Sequence, residues 1–276
     1  MRIDAHQHFW TYDPVRHGWI DDRMQVIRKD FLPEDLAPEL ATAGMDGCVA
    51  VQVDETEDET RYMLDLAAGH DFIKGVVGWT DFKAPDISDR LARWREHPRL
   101  KGFRAIMQGQ PDEKYLTNRA FIEGIGQLEG TGFSYDLLVY HDQLPSLIRF
   151  TERFPDQPFI LDHIAKPDIT NGRIKPWKEH MKTLAQHPGI YCKLSGMVTE
   201  ADWKNWRYED MAPYLEIAGE CFGTDRLCFG TDWPVCLLAG GYQTVKAIID
   251  RFLGQVTEAE RENIWGNNAC KFYNID

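Results

Sequence analysis

Eight short runs rich in β-branched and aromatic residues punctuate the chain, and helical stretches with amphipathic spacing lie between them. The runs occupy 2–9, 47–54, 73–81, 100–107, 132–140, 157–165, 190–197 and 227–234, and their composition predicts β-strands. Amphipathic helices are predicted over 32–44, 59–70, 117–130, 141–154, 176–187 and 208–223. Helix-ending residues (Gly44, Gly132, Pro188 and Gly189) stand just ahead of several strands. Such alternation argues for parallel β/α units. Eight units in 276 residues is the size of a closed (β/α)8 TIM barrel, an α/β fold in one domain spanning residues 1–276. The other arrangement of such units, an open doubly wound sheet, usually carries a glycine-rich phosphate loop after its first strand. Here that position reads HQHFWTYD.

Two long connections follow predicted strands, at 9–31 and 198–207. Both would therefore cover the C-terminal mouth of a barrel, where barrel enzymes place their active sites. The first is rich in aromatics, among them Phe9, Trp10, Tyr12 and Trp19.

Composition narrows the setting. With 43% hydrophobic residues the chain can bury one large core. No apolar stretch approaches the length of a membrane span, and no basic segment followed by an apolar core opens the chain. Six cysteines are scattered without a CxxC pair, which suits free thiols and a cytoplasmic location. The net charge of −13 argues against nucleic acid or an anionic membrane as partner. Monomer and homo-oligomer both stay open.

The chemistry lies in the polar residues that interrupt the apolar runs near their C-terminal ends. His6 and His8 flank one glutamine, and residues two apart on a strand point to the same side. They could aim two imidazoles at one metal or one proton; a pair of surface histidines on a frayed strand would show the same spacing. Later strand ends contribute Gln52 and Asp54, Trp79 and Asp81, Arg104, Asp136, His163 with Lys166, Lys193 with Ser195, and Asp232. A buried, unpaired charge is expensive, so polar groups at so many strand ends point to one shared pocket. Ser195 lies in CKLSGM, not in a GxSxG elbow, and is not read as a nucleophile.

DAHQHFW after the first strand, LDHIAKP on the sixth, FGTDWP on the eighth and the tail NIWGNNACKFYNI resemble the amidohydrolase superfamily. Within it they are most similar to the sugar-lactone hydrolases, the fuconolactonase- and rhamnonolactonase-like branch. The resemblance implies a TIM barrel with divalent metal held by the HxH pair, further histidines and the eighth-strand aspartate. Onto this chain it carries His6, His8, His163 and Asp232. Arg104 stands where binuclear members carry a bridging carboxylated lysine, and Asp136 where a fifth-strand histidine is usual. We therefore expect at most one ion, such as zinc, on His6, His8 and Asp232. Some branch members work without metal, so activity need not depend on it.

Lactone hydrolysis needs a base for water, a partner for the oxyanion and a proton for the leaving oxygen. Asp232 is the expected base, with His6, His8, His163 and Arg104 as electrophilic groups; Arg104 could hold the carbonyl or a ring hydroxyl, or form a rim ion pair with Asp81 or Asp136. Gln52, Asp136, Lys166 and the flat faces of Trp10, Trp79 and Trp233 are expected to bind substrate. A single strand-end arginine favours a neutral sugar lactone over a dicarboxylate. The competing readings are a metal-dependent decarboxylase of the same superfamily and a non-catalytic barrel that binds a sugar acid.

Overall fold

The computed structural model describes all 276 residues and arranges eight parallel strands in sequence order in one sheet. They are β1 (Ile3–Gln7), β2 (Gly47–Val51), β3 (Ile73–Gly78), β4 (Leu100–Ile106), β5 (Ser134–Leu138), β6 (Phe159–Leu161), β7 (Ile190–Leu194) and β8 (Leu227–Phe229). Each lies inside one of the eight predicted runs. The end of β1 meets the segment after β8 through His8 N–H donating to Trp233 O at 2.7 Å and Asp232 N–H to His6 O at 2.8 Å. These bonds close the barrel, and they join the HQH segment directly to TDW.

Between and after the strands run α1 (Pro33–Ala43), α2 (Glu57–Gly69), α3 (Ile87–Trp94), α4 (Arg119–Gly126), α5 (Leu144–Thr151), α6 (Trp177–Leu184), α7 (Tyr208–Phe222) and α8 (Tyr242–Phe252). Short helices α9 (Glu258–Glu262) and α10 (Asn268–Tyr273) finish the chain. Six of these match the predicted helices. The helices predicted from the pattern do not include α3 and α8, although α3 buries Ile87, Leu91 and Trp94 at helical spacing. The end of α1 is as expected, with Gly44 in the left-handed region at φ 67°.

A large apolar core fills the space between strands and helices. A second cluster joins Ile3, Ala5, Val49, Val51, Val77, Ile160 and Cys228 to Tyr273 and Ile275. Its members come from strands that can meet only across the barrel interior, so it plugs the lower half. Strand β1 serves both halves through a bulge: Asp4 pairs with Cys48 but Gln7 with Ala50, three residues against two. A bulge reverses the alternation of side chains. Ile3 and Ala5 thus join the lower plug, while His6 and His8 face the polar interior above it.

Every predicted run extends past the end of its strand, the sixth and eighth by the most. Phe159–Leu161 is followed by a turn in which His163, Ile164, Ala165 and Lys166 all have φ between 46° and 59°. Asp232, beyond β8, is likewise left-handed at φ 59°. Non-glycine residues hold this conformation only where the surroundings enforce it. The predicted helix over 141–154 starts as a 3₁₀ turn, His141–Gln143, before α5 begins. The long first connection is pinched at its base by Trp10 and Phe31, whose backbones exchange hydrogen bonds of 3.0 and 2.9 Å. All six cysteines are free, and no helix is long and apolar enough to cross a membrane.

Candidate active site

The barrel seam brings four buried side chains to one point. Asp232 Oδ1 lies 3.1 Å from His8 Nε2, 3.8 Å from His6 Nε2 and 3.9 Å from His163 Nε2. Asp4 staples the two sides together: its Oδ1 accepts from the backbone N–H groups of His6 (3.1 Å) and Thr231 (3.0 Å), and its Oδ2 from the Thr231 hydroxyl (2.6 Å). A side chain at Gly230 would place its Cβ 2.8 Å from that of His6, so the exit of β8 can pass this closely only as glycine. Ser195 Oγ sits 2.8 Å from His163 Nδ1 and orients that ring.

The charges follow from these contacts. His8 Nδ1 is 2.6 Å from the Val51 carbonyl, which can only accept, so Nδ1 carries hydrogen. Burial pushes the Asp232 carboxyl up, but His163, His8 and His6 outweigh it and hold it well below the usual carboxylate range. Burial keeps His6 neutral against the pull of Asp162, and lowers His163 to about 4.

Beneath this layer lies a second polar layer with paired charges. Lys193 Nζ contacts Asp136 Oδ2 (2.5 Å), Asp162 Oδ1 (3.0 Å) and His6 Nδ1 (3.1 Å). The Tyr273 hydroxyl, from α10, lies 2.9 Å from Asp136 Oδ2. Burial opposes charge on both Lys193 and Asp162. The two carboxylates nonetheless raise Lys193, and Lys193, His6 and Arg104 hold Asp162 well below its ordinary value. Arg104 donates from Nε and Nη2 to Gln52 Oε1, from Nη2 to the Gln52 carbonyl, and from Nη1 to His6 Nε2 (3.3 Å) and Asp162 Oδ2 (3.0 Å). All five of its N–H directions are thereby used. Its ion-pair partner is Asp162, not Asp81 or Asp136, and it reaches a substrate only through the groups it holds.

The upper cluster suits a metal ion. His6, His8 and Asp232 offer ligand atoms within 4.8 Å of one another. With its hydrogen on Nδ1, His8 turns an Nε2 lone pair toward a carboxylate oxygen, and a cation between these two acceptors would satisfy both. Two imidazoles and one carboxylate, with room for water, form the usual donor set of a catalytic zinc. His6, Asp162 and His163 form a second group of donors within the same reach, but there Asp162 is already paired with Arg104 and Lys193.

The pocket above these residues is a cavity of about 170 Å³ lined by His8, Arg104, His163 and Asp232 at the floor, with Trp19, Val53, Ile106, Gln108, Leu138, Lys166 and Val235 around them. Lys166 thus stands at the mouth, paired with Glu200 at 3.3 Å, while Gln52 and Asp136 lie underneath as supports. The three expected tryptophans do not line it. Trp10 is buried against Phe31 and donates to the Lys29 carbonyl at 2.9 Å. Trp233 packs on Phe9 and Phe31. Trp79 borders a separate cavity with Glu55 and Lys114. Their rings satisfy the apolar demand of the loops around the barrel, and the aromatic at the mouth is Trp19, 40% exposed. Asp4 and Asp162 were not singled out, although each stands beside a predicted histidine motif, in IDAHQH and LDHIAKP. Gln108 carries no sequence signal.

An L-fucono-1,5-lactonase from Burkholderia multivorans is 38% identical over 99% of this chain and 96% of its own length. Two crystal structures of an amidohydrolase from Burkholderia multivorans, one with bound HEPES and one with bound zinc, are 36% identical and cover all of both chains, with TM-scores of 0.95 and 0.96. The family model for amidohydrolases matches residues 3–275. This chain therefore belongs to the amidohydrolase family.

Proposed function

We propose that the protein hydrolyses the ring ester of a neutral sugar lactone, an aldono-1,4- or 1,5-lactone, to the open sugar acid. The observation that carries this is a small pocket whose floor presents one ionised carboxylate beside His8 and His163, with His6 directly behind it, and whose walls offer, apart from the fully engaged Arg104, one cation, Lys166, itself paired with Glu200. Its volume is below the roughly 300–1,000 Å³ of pockets for drug-sized ligands, and suits one small ring. The lactonase activity of a relative at 38% identity supports the reading.

Asp232 takes a proton from water as the water oxygen attacks the lactone carbonyl carbon. His163, whose Nδ1 is held by Ser195 Oγ, turns an Nε2–H toward the oxygen on which negative charge develops. The ring C–O bond then breaks, and the proton held by Asp232 passes to the departing alkoxide, leaving a free hydroxyl and a carboxylic acid that ionises and releases its proton to solvent. A divalent ion held by His6, His8 and Asp232 would supply Lewis-acid polarisation and a more acidic water when bound. Arg104, Asp162 and Lys193 hold His6 in place from below, while burial, helped by the charge of Lys193, keeps it neutral against the pull of Asp162. A second substrate carboxylate would need a bidentate arginine, and Arg104 has no free N–H to give.

Acid release followed with a pH indicator tests this. Neutral aldonolactones should show kcat/KM at least about tenfold above dicarboxylate lactones. Faster turnover of a dicarboxylate would overturn the assignment of substrate charge, and no acid release from any lactone would overturn the reaction.

A further inference from the structure

The rim of the pocket holds one polar group that nothing in the protein satisfies. Gln108 lines the cavity two residues beyond β4, and its carboxamide oxygen is buried without a hydrogen-bond partner. Such a group is retained at a loss unless something else completes it.

The turn that presents it is fixed from outside. Gln143 Nε2 donates to the carbonyls of Met107 and Gln110, both at 3.0 Å, and Gln143 Oε1 accepts from Gly109 N–H at 3.2 Å. Gln110 N–H also closes onto Met107 O at 3.0 Å. Gly109 takes φ 68°, and a Cβ there would stand 3.3 Å from the Tyr140 ring. One glutamine therefore spends its amide holding the turn, while the other, in the cavity wall, keeps an oxygen that has no partner. The neighbouring walls, Val53, Ile106, Leu138 and Val235, are aliphatic and cannot complete it.

We propose that Gln108 reads a hydroxyl of the lactone, remote from the reacting carbonyl, and so determines specificity for polyhydroxylated lactones over plain ones. This rests on the lactonase reading of the same pocket. The hydroxyl donates to Gln108 Oε1 as water leaves the site. A lactone without hydroxyls leaves that acceptor buried and unpaired, and is disfavoured for that reason.

The test compares a sugar 1,5-lactone with δ-valerolactone, the unsubstituted six-membered ring, in the parent, Gln108→Met and Gln108→Glu. Methionine keeps the length and removes the acceptor; glutamate keeps an acceptor at the same reach. In Gln108→Met the ratio of kcat/KM for the sugar lactone to that for δ-valerolactone should fall about tenfold to a hundredfold, mostly through KM. Gln108→Glu should retain most of the parent ratio. A merely structural role would lower both rates together and leave the ratio unchanged, which would overturn this inference alone. A parent enzyme that opens neither lactone would overturn the reaction and this inference together.

Discussion

Asp232 is the residue on which the proposed chemistry converges. Three imidazoles surround one carboxylate oxygen, so the group stays ionised throughout the neutral range. Asp232→Asn keeps the shape and removes the acceptor; kcat should fall by about 10² to 10⁴, with the fold intact by circular dichroism. A variant within threefold of the parent would remove Asp232 from the mechanism. The candidacy of this aspartate and of the three histidines was legible in HQH, LDHIAKP and FGTDWP. Arg104 was legible too, but its use was not. A sequence shows that a guanidinium stands near a strand end; it does not show that Gln52, His6 and Asp162 consume all its donors.

At the scale of elements, the seam between β1 and the β8 exit matters most, together with the first turn of α2. In α2, Val53 N–H donates to Glu59 Oε1 at 2.7 Å, while Oε2 is closed off from water and has no partner. Burial pushes this carboxyl up to about 8, and Asp54 nearby adds to the effect. The sign follows directly. A raised folded value means that the folded protein holds a proton that the unfolded chain releases near 4.5. The stability it contributes is complete below that value and is lost as pH rises through 8. Glu59→Gln should therefore match the parent in Tm near pH 4.5, exceed it increasingly toward pH 8, and keep a constant advantage above that. Thermal melts across that range check it, and a difference in Tm that does not change with pH would show that Glu59 is not held protonated. The sequence marks Glu59 only as one of several acids opening a helix, since the burial of a single carboxylate oxygen depends on the β2 exit folding over it.

For the whole molecule, the two polar layers in the barrel limit the metal content. The upper layer offers His6, His8 and Asp232; in the lower one, Arg104 and Lys193 supply the positive charge that another ion would bring. We expect one zinc equivalent at most per chain, lost on treatment with a strong chelator. Zinc added back should raise Tm, because a ligand that binds the folded state stabilises it. Elemental analysis and thermal melts before and after chelation measure both; two equivalents per chain would contradict the charge balance of the lower layer.

By itself the sequence determined the eight strands, six of the helices around them, the barrel and the residue types that could do chemistry. These follow from local periodicity and from motifs that survive as short strings. Only the tertiary structure decided which side chains share a cavity. The bulge in β1 turns His6 and His8 inward above an apolar plug, and closure of the barrel sets them against Asp232. The left-handed turn after β6 delivers His163 from a stretch that reads as strand. The expected tryptophans pack behind the loops, while Trp19 and Gln108 reach the mouth from connections that carry no periodic signal. Such placements depend on contacts between residues far apart in the chain, and local spacing does not encode them.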